Sequence, residues 1–320
     1  MGENPAETEN ETSMARIRAT VALLLVLSLV IPGCVNRDQL KTDVLDAVRR
    51  HEHVRNYRFS GSLELAVPAG AERARQRSGL RALLPGEGTF SWQGVASFDP
   101  LRAEAEIFIA APDRDPVRIP VFIQHNKLVF SLPGAGAPRR PFAVDLGELS
   151  GRRGAEGAPP LSESGARFAA AMAAFIGGID AGRFDEPEEL ENGRRIVAVF
   201  REHQAEEFGR FWNGAFPAVE AALRAYLAGT APAQGGAPAA APAGYTLHEP
   251  VTFTFDLNEA GYLEQFRAEA HVTWQREDGS PDGLIIRLVS RLDDINADPP
   301  FVLEMPEDAV PLSELLNLLP

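Results

Sequence analysis

The amino-acid sequence predicts an α+β fold built on one extensive curved antiparallel sheet. Three observations lead there. Short segments alternate apolar and polar residues with a period of two, short turns join them, and they fall into two sets, with helical patterns before the first set and between the two. No internal repeat of about 20 to 50 residues is present, which argues against solenoids and propellers. The 45% hydrophobic content over 320 residues suits a packed globular core.

At the N-terminus a polar, acidic stretch, Met1 to Ser13, precedes Met14, Arg16 and Arg18 and then an apolar run from Ala19 to Ile31. Basic residues followed by an apolar run are the parts of a signal peptide, and this run is shorter than the roughly 20 residues that span a bilayer. Met14 is the better start, so residues 1–13 are read as a mis-called start or a disordered extension, and 14–33 as the signal peptide. The run ends at Ile31-Pro32-Gly33-Cys34, which resembles the lipobox of bacterial lipoproteins, with Pro32 where that pattern has Ala or Ser. The resemblance implies cleavage before Cys34 and a diacylglycerol thioether on it, a two-chain anchor in the membrane. Cys34 is the one cysteine of the chain, so an internal disulfide is excluded.

Residues 34–37 form the lipidated cysteine and a brief tether, and one domain is expected over 38–320. Asp38 can cap a helix running to about Val54, with Leu40, Val44, Leu45 and Val48 on one face. Tyr57, Phe59, Leu63 and Leu65 then alternate with Arg58, Ser60, Ser62 and Glu64 in a half-buried strand. A basic insertion at about 68–86 follows. Strands come next at Gly88 to Phe98, Arg102 to Ala110, Val117 to His125 and Leu128 to Leu132, an antiparallel meander.

A Gly-, Pro- and Arg-rich insertion at about 133–160, interrupted by apolar Phe142 to Leu146, precedes a small-residue helix from Ser162 to Ile176. After the acidic run Asp185 to Asn192 come a strand, Arg194 to Arg201, and a helical stretch, Gln204 to Leu227, which Pro217 should kink or split. The Ala-, Pro- and Gly-rich segment at about 230–244 reads as a flexible loop. Strands resume at Val251 to Leu257, Tyr262 to Arg276 and Leu284 to Leu292, for about eight or nine in all.

The order of these elements, with Asn56-Tyr57-Arg58-Phe59-Ser60-Gly61 opening the first strand, Phe255-Asp256-Leu257 leading to Gly261-Tyr262-Leu263, Asp293-Asp294-Ile295-Asn296 closing the last strand, and the finish at Phe301 to Ala309, resembles the LolA/LolB and LppX/LprG superfamily, including Gram-positive lipoproteins of that layout. The resemblance implies an incomplete β-barrel with helices covering its concave face, and an apolar ligand, such as a lipid, held between them.

Catalytic and metal-binding patterns are not found. His51 and His53 flank Glu52 at a spacing that does not hold zinc, no Gly-x-Ser-x-Gly turn or phosphate loop is present, and the run Asp185 to Glu191 reads as a solvated acidic face. No cofactor, metal or enzymatic activity is expected. A net charge of −14 repels nucleic acid and anionic headgroups, so the membrane contact is assigned to acylated Cys34. The residues expected to line an apolar cavity are Phe90, Trp92, Phe108, Phe122, Phe253, Phe255, Phe266 and Trp274 on strands and Phe211 and Trp212 on a helix. An extracytoplasmic carrier of a hydrophobic ligand is the first reading, and a non-enzymatic assembly factor of the cell envelope, with a filled core and an unidentified protein partner, is the second.

Overall fold

The computed structural model describes residues 35–66, 88–111, 115–132, 140–145, 161–227, 243–275 and 279–311; Cys34, the signal segment and most of the three expected insertions lie outside them. The helices are α1 (Arg37–Arg50), α2 (Leu161–Gly178) and α3 (Ala205–Leu227). The first set of strands is β1 (Asn56–Ala66), β2 (Gly88–Phe98), β3 (Leu101–Ala110), β4 (Val117–Gln124), β5 (Lys127–Leu132) and β6 (Arg140–Asp145). The second is β7 (Glu188–Leu190), β8 (Gly193–Phe200), β9 (Ala243–Leu247), β10 (Val251–Asn258), β11 (Leu263–Gln275), β12 (Pro281–Asp293) and β13 (Val310–Pro311).

Among the described residues thirteen strands make one open sheet in the order β13-β6-β5-β4-β3-β2-β1-β12-β11-β10-β8-β7, with β9 also beside β11. The two sets join where β1 pairs antiparallel with β12, from Arg58 opposite Asp293 to Ala66 opposite Ile285. On its other edge β11 pairs with β10 along its first half and with β9 near its end. The interruption between them falls at His248, whose N–H bonds the carbonyl of His271 at 3.0 Å.

Directly opposed residues of an antiparallel pair share a face. The chain of registers Ile196–Phe255–Phe266–Ser290–Gly61–Trp92–Ile107–Ile119 therefore places one residue from each of eight strands on a single face, here called inner. The helices lie on its C-terminal part. Phe175 of α2 meets Phe253 at 5.4 Å and Phe211 of α3 at 5.0 Å, while Phe200 of β8 stacks on Phe211 at 5.2 Å. Pairs of this kind add about 0.5–1.5 kcal/mol each beyond the area they bury. Leu40, Val44, Ala47 and Val48 of α1 are buried as well. Lys41 Nζ donates to the carbonyls of Gly177 and Ile179, both at 2.7 Å, and so caps the end of α2.

The opposite, outer face is braced differently. Val95, Glu104, Phe122 and Val129 stand opposite one another across β2 to β5, and all four are buried. The C-terminal segment runs along this row. The Glu104 carboxylate accepts the N–H of Val302 at 2.6 Å and of Leu303 at 2.9 Å, Arg102 covers the Phe301 ring at 4.1 Å, and β13 pairs parallel with β6. A carboxylate can be this buried because two backbone donors replace its water.

Several elements differ from expectation. Pro217 does not split α3, which runs as one helix with the proline on its exposed side. The apolar patch in the second insertion is β6, and the acidic run contains β7, short strands that complete edges and carry little pattern of their own. β9 lies at the end of the Ala-rich segment, and β13, at two residues, is below what alternation can reveal.

Replacing Glu104 by Ala removes two charge-assisted hydrogen bonds and is expected to lower the unfolding free energy by about 3 kcal/mol. In hydrogen exchange the Val302 and Leu303 amides should lose protection before those of β10. Unchanged protection at both amides would contradict the clamp.

Candidate functional site

Between the helix-covered strands and the meander, the inner face changes character. On β12, β1, β2, β3 and β4 it carries Ile286, Leu288, Phe59, Leu63, Leu65, Phe90, Trp92, Ile107, Ile109, Ile119 and Val121, placed there by alternation and register. Each of these side chains is half-buried, whereas their counterparts on β8 and β10 are buried. This is one continuous apolar surface with a covered half and a partly open half. Its described residues from β12 to β4 include no Lys, Arg or His.

The ten aromatic residues expected to line one cavity fall into separate places. Phe90 and Trp92 lie on the open inner face. Phe253, Phe255 and Phe266 share that face farther along but are buried beneath the helices, Phe255 completely, and Phe211 is buried against Phe253 at 6.0 Å. Trp212 stacks on Phe208 at 5.6 Å, and Trp274 lies 6.1 Å from Tyr245. Phe108 and Phe122 project from the outer face, since their strand neighbours Ile107 and Val121 project inward, and Phe122 is buried in the row along which the C-terminal segment runs. The aliphatic members of the open face lie outside the expected set, which consists of aromatic rings alone; the alternation of β1 is the sequence signal that contains Leu63 and Leu65.

The polar features are elsewhere. A cleft of about 420 Å³ lies between α1 and the β7–β8 and β10–β11 turns, lined by Asp43, Glu189, Glu191 and Glu259 with Arg50 and Arg194. Arg194 pairs with Asp43 at 2.8 Å there. On the outer face the buried Asp256 carboxylate takes both Nε and Nη2 of Arg195, at 2.7 and 3.1 Å, which raises the Arg195 pKa. Tyr245 donates to Asn213 Oδ1 at 2.7 Å, and burial pushes its hydroxyl up to about 12. Among the described residues no group of three or more His, Cys, Asp and Glu is placed to hold a metal ion, and no helix is long and apolar enough to cross a membrane.

No family model and no curated protein matches the chain in sequence. Among solved structures it is similar to LprF from Mycobacterium bovis, with 9% identity over 85% of this chain and 98% of that one and a TM-score of 0.35. It is also similar to lipovitellin, from a structure of lipid–protein interactions in that protein, with 8% identity over 79% of this chain and 26% of that one and a TM-score of 0.27. A third likeness is to a DUF1329 family protein from Desulfovibrio piger, with 8% identity over 82% and 94% of the two chains and a TM-score of 0.21. At these values function has to be argued from the chain's own surfaces.

His51, at the end of α1, joins that helix to β11 through its Nε2, 3.1 Å from the carbonyl of Leu263, and burial lowers its pKa despite this contact. The unfolded chain therefore binds a proton first as pH falls below about 6.5. Stability contributed by neutral His51 is full above that pH and is lost on acidification. Urea unfolding between pH 7 and pH 5 should show a steeper loss for the parent chain than for His51→Gln; equal slopes would contradict the assignment.

Proposed function

We propose that the chain is a lipoprotein held at the extracytoplasmic face of a membrane by acyl chains on Cys34, and that the open part of its inner face binds and carries an apolar ligand such as a lipid. The observation that carries this reading is the run of half-buried apolar side chains from β12 to β4, continuous with a core that helices cover elsewhere. Apolar surface left partly in contact with water costs about 25 cal/mol per Å², and where such side chains are contiguous they mark a binding surface. The site holds its ligand by burial, so the role is binding and not catalysis. Two acyl chains suffice for durable attachment of an acidic domain that anionic headgroups repel.

Filled ring packing under α2 and α3 favours the second reading, an envelope assembly factor without a ligand, for that half of the sheet. Native mass spectrometry of the Cys34→Ser chain purified from a bacterial host distinguishes the two. A co-purifying lipid-sized mass, lost in Ile107→Arg with an unchanged circular dichroism spectrum, is the expected result. Protein that is free of any small molecule supports the second reading.

The anchor has its own test. Cys34→Ser should move the protein from the membrane fraction to the medium, and a variant that stays membrane-bound at unchanged mass would overturn the lipid attachment.

A further inference from the structure

Two glycines on the open inner face are each covered by a ring from the adjoining strand. Gly61 stands opposite Trp92, and Gly94 opposite Phe59, so the two pairs cross the β1–β2 ladder in opposite directions. A Cβ on Gly61 would collide with Cζ2 of Trp92 and lie 2.6 Å from its Cε2, and a Cβ on Gly94 would lie 2.6 Å from Cζ of Phe59. Cζ2 belongs to the outer ring of the indole, and Cζ is the carbon of the phenyl farthest from the backbone. With such atoms at the height of a neighbour's Cβ, both side chains recline along the sheet instead of standing up from it. Glycine is required at both positions for two reasons. A Cβ would strike the neighbouring strand's backbone, the carbonyl oxygen of Val289 at Gly61 and that of Glu104 at Gly94, and it would push the overlying ring upright. Both rings are half-buried, so each leaves part of its surface open on the inner face.

Resting on the apolar-ligand reading above, we infer that this part of the face takes a neutral, planar ring system stacked on Trp92 and Phe59, in preference to an acyl chain with an acidic head. An aliphatic chain on reclining rings gains contact area alone. A planar ring gains that area and also offset stacking, which strengthens binding about two- to tenfold per ring. Charge points the same way. The described inner-face residues from β12 to β4 supply no cation for a carboxylate or phosphate, and the whole chain carries −14.

Equilibrium dialysis of the full chain carrying Cys34→Ser, so that no thiol adds to a quinone, tests this with 2-methyl-1,4-naphthoquinone, hexadecanol and palmitate. The naphthoquinone is expected to bind more tightly than palmitate. Trp92→Leu and Phe59→Leu, checked for folding by circular dichroism, should each weaken it about fivefold while changing hexadecanol by less than about twofold. Palmitate binding as tightly as the naphthoquinone, or equal weakening of quinone and hexadecanol in both variants, would overturn the inference. Hexadecanol binding without quinone binding overturns the ring preference and leaves the apolar-ligand reading in place, whereas no binding of any probe overturns both.

Discussion

The antiparallel ladder between β1 and β12 is the interaction on which the rest of the structure depends. It brings together residues more than two hundred positions apart, Arg58 with Asp293 and Ala66 with Ile285, and makes one sheet of two meanders. Its register matters as much as its existence. Because strand side chains alternate, a slip of one residue would set Leu63 opposite Arg287 or Val289, whose side chains belong to the outer face, and break the apolar face at the seam. With Leu63 opposite both Leu288 and Phe90, that face instead continues from the helix-covered strands into the meander.

Given one long sheet, each half buries a different side. On β8, β10 and β11 the inner face is covered, with Phe175, Phe200, Phe208 and Phe211 closing over Phe253. On β2 to β5 the outer face carries the buried row Val95, Phe122 and Val129, along which the C-terminal segment is fastened by Glu104. Bracing the meander from behind lets its inner face stay partly open without leaving those strands bare on both sides. The outer face carries the buried carboxylates Glu104, Glu106 and Asp256, Glu104 with backbone donors and Asp256 with Arg195 and Arg267. The buried Asp282, at the start of β12, falls on the inner face and accepts the N–H of Gly283.

Much of the fold was legible where a local period is strong. The alternation Tyr57, Phe59, Leu63, Leu65 and the bounds Gly88 to Phe98 correspond directly to β1 and β2, and Phe266, Ala268 and Val272 are the buried side of β11. Elements that exist by pairing left no such trace. β6 starts at Arg140-Pro141, β7 is three acidic and apolar residues, and β13 ends in a proline, so each is a strand because a neighbour's edge is there to be filled. Pro217 shows the reverse, a strong local breaker inside a helix that continues through it.

The candidate site was legible in part, for the same reason. Apolar periodicity by itself determined that strands such as β1 have one apolar face, since a period of two is a property of neighbouring residues. The expected aromatic set, by contrast, mixed Phe90 and Trp92 with Phe108 and Phe122, which the registers place on the opposite face. Which apolar residues are covered was decided only by the tertiary structure. Phe255 and Trp92 look alike in sequence, each an aromatic residue within a strand, yet one is wholly buried near the docked helices and the other half-buried over Gly61. Burial depends on where distant helices and the C-terminal segment dock. Those contacts join positions that no local pattern connects.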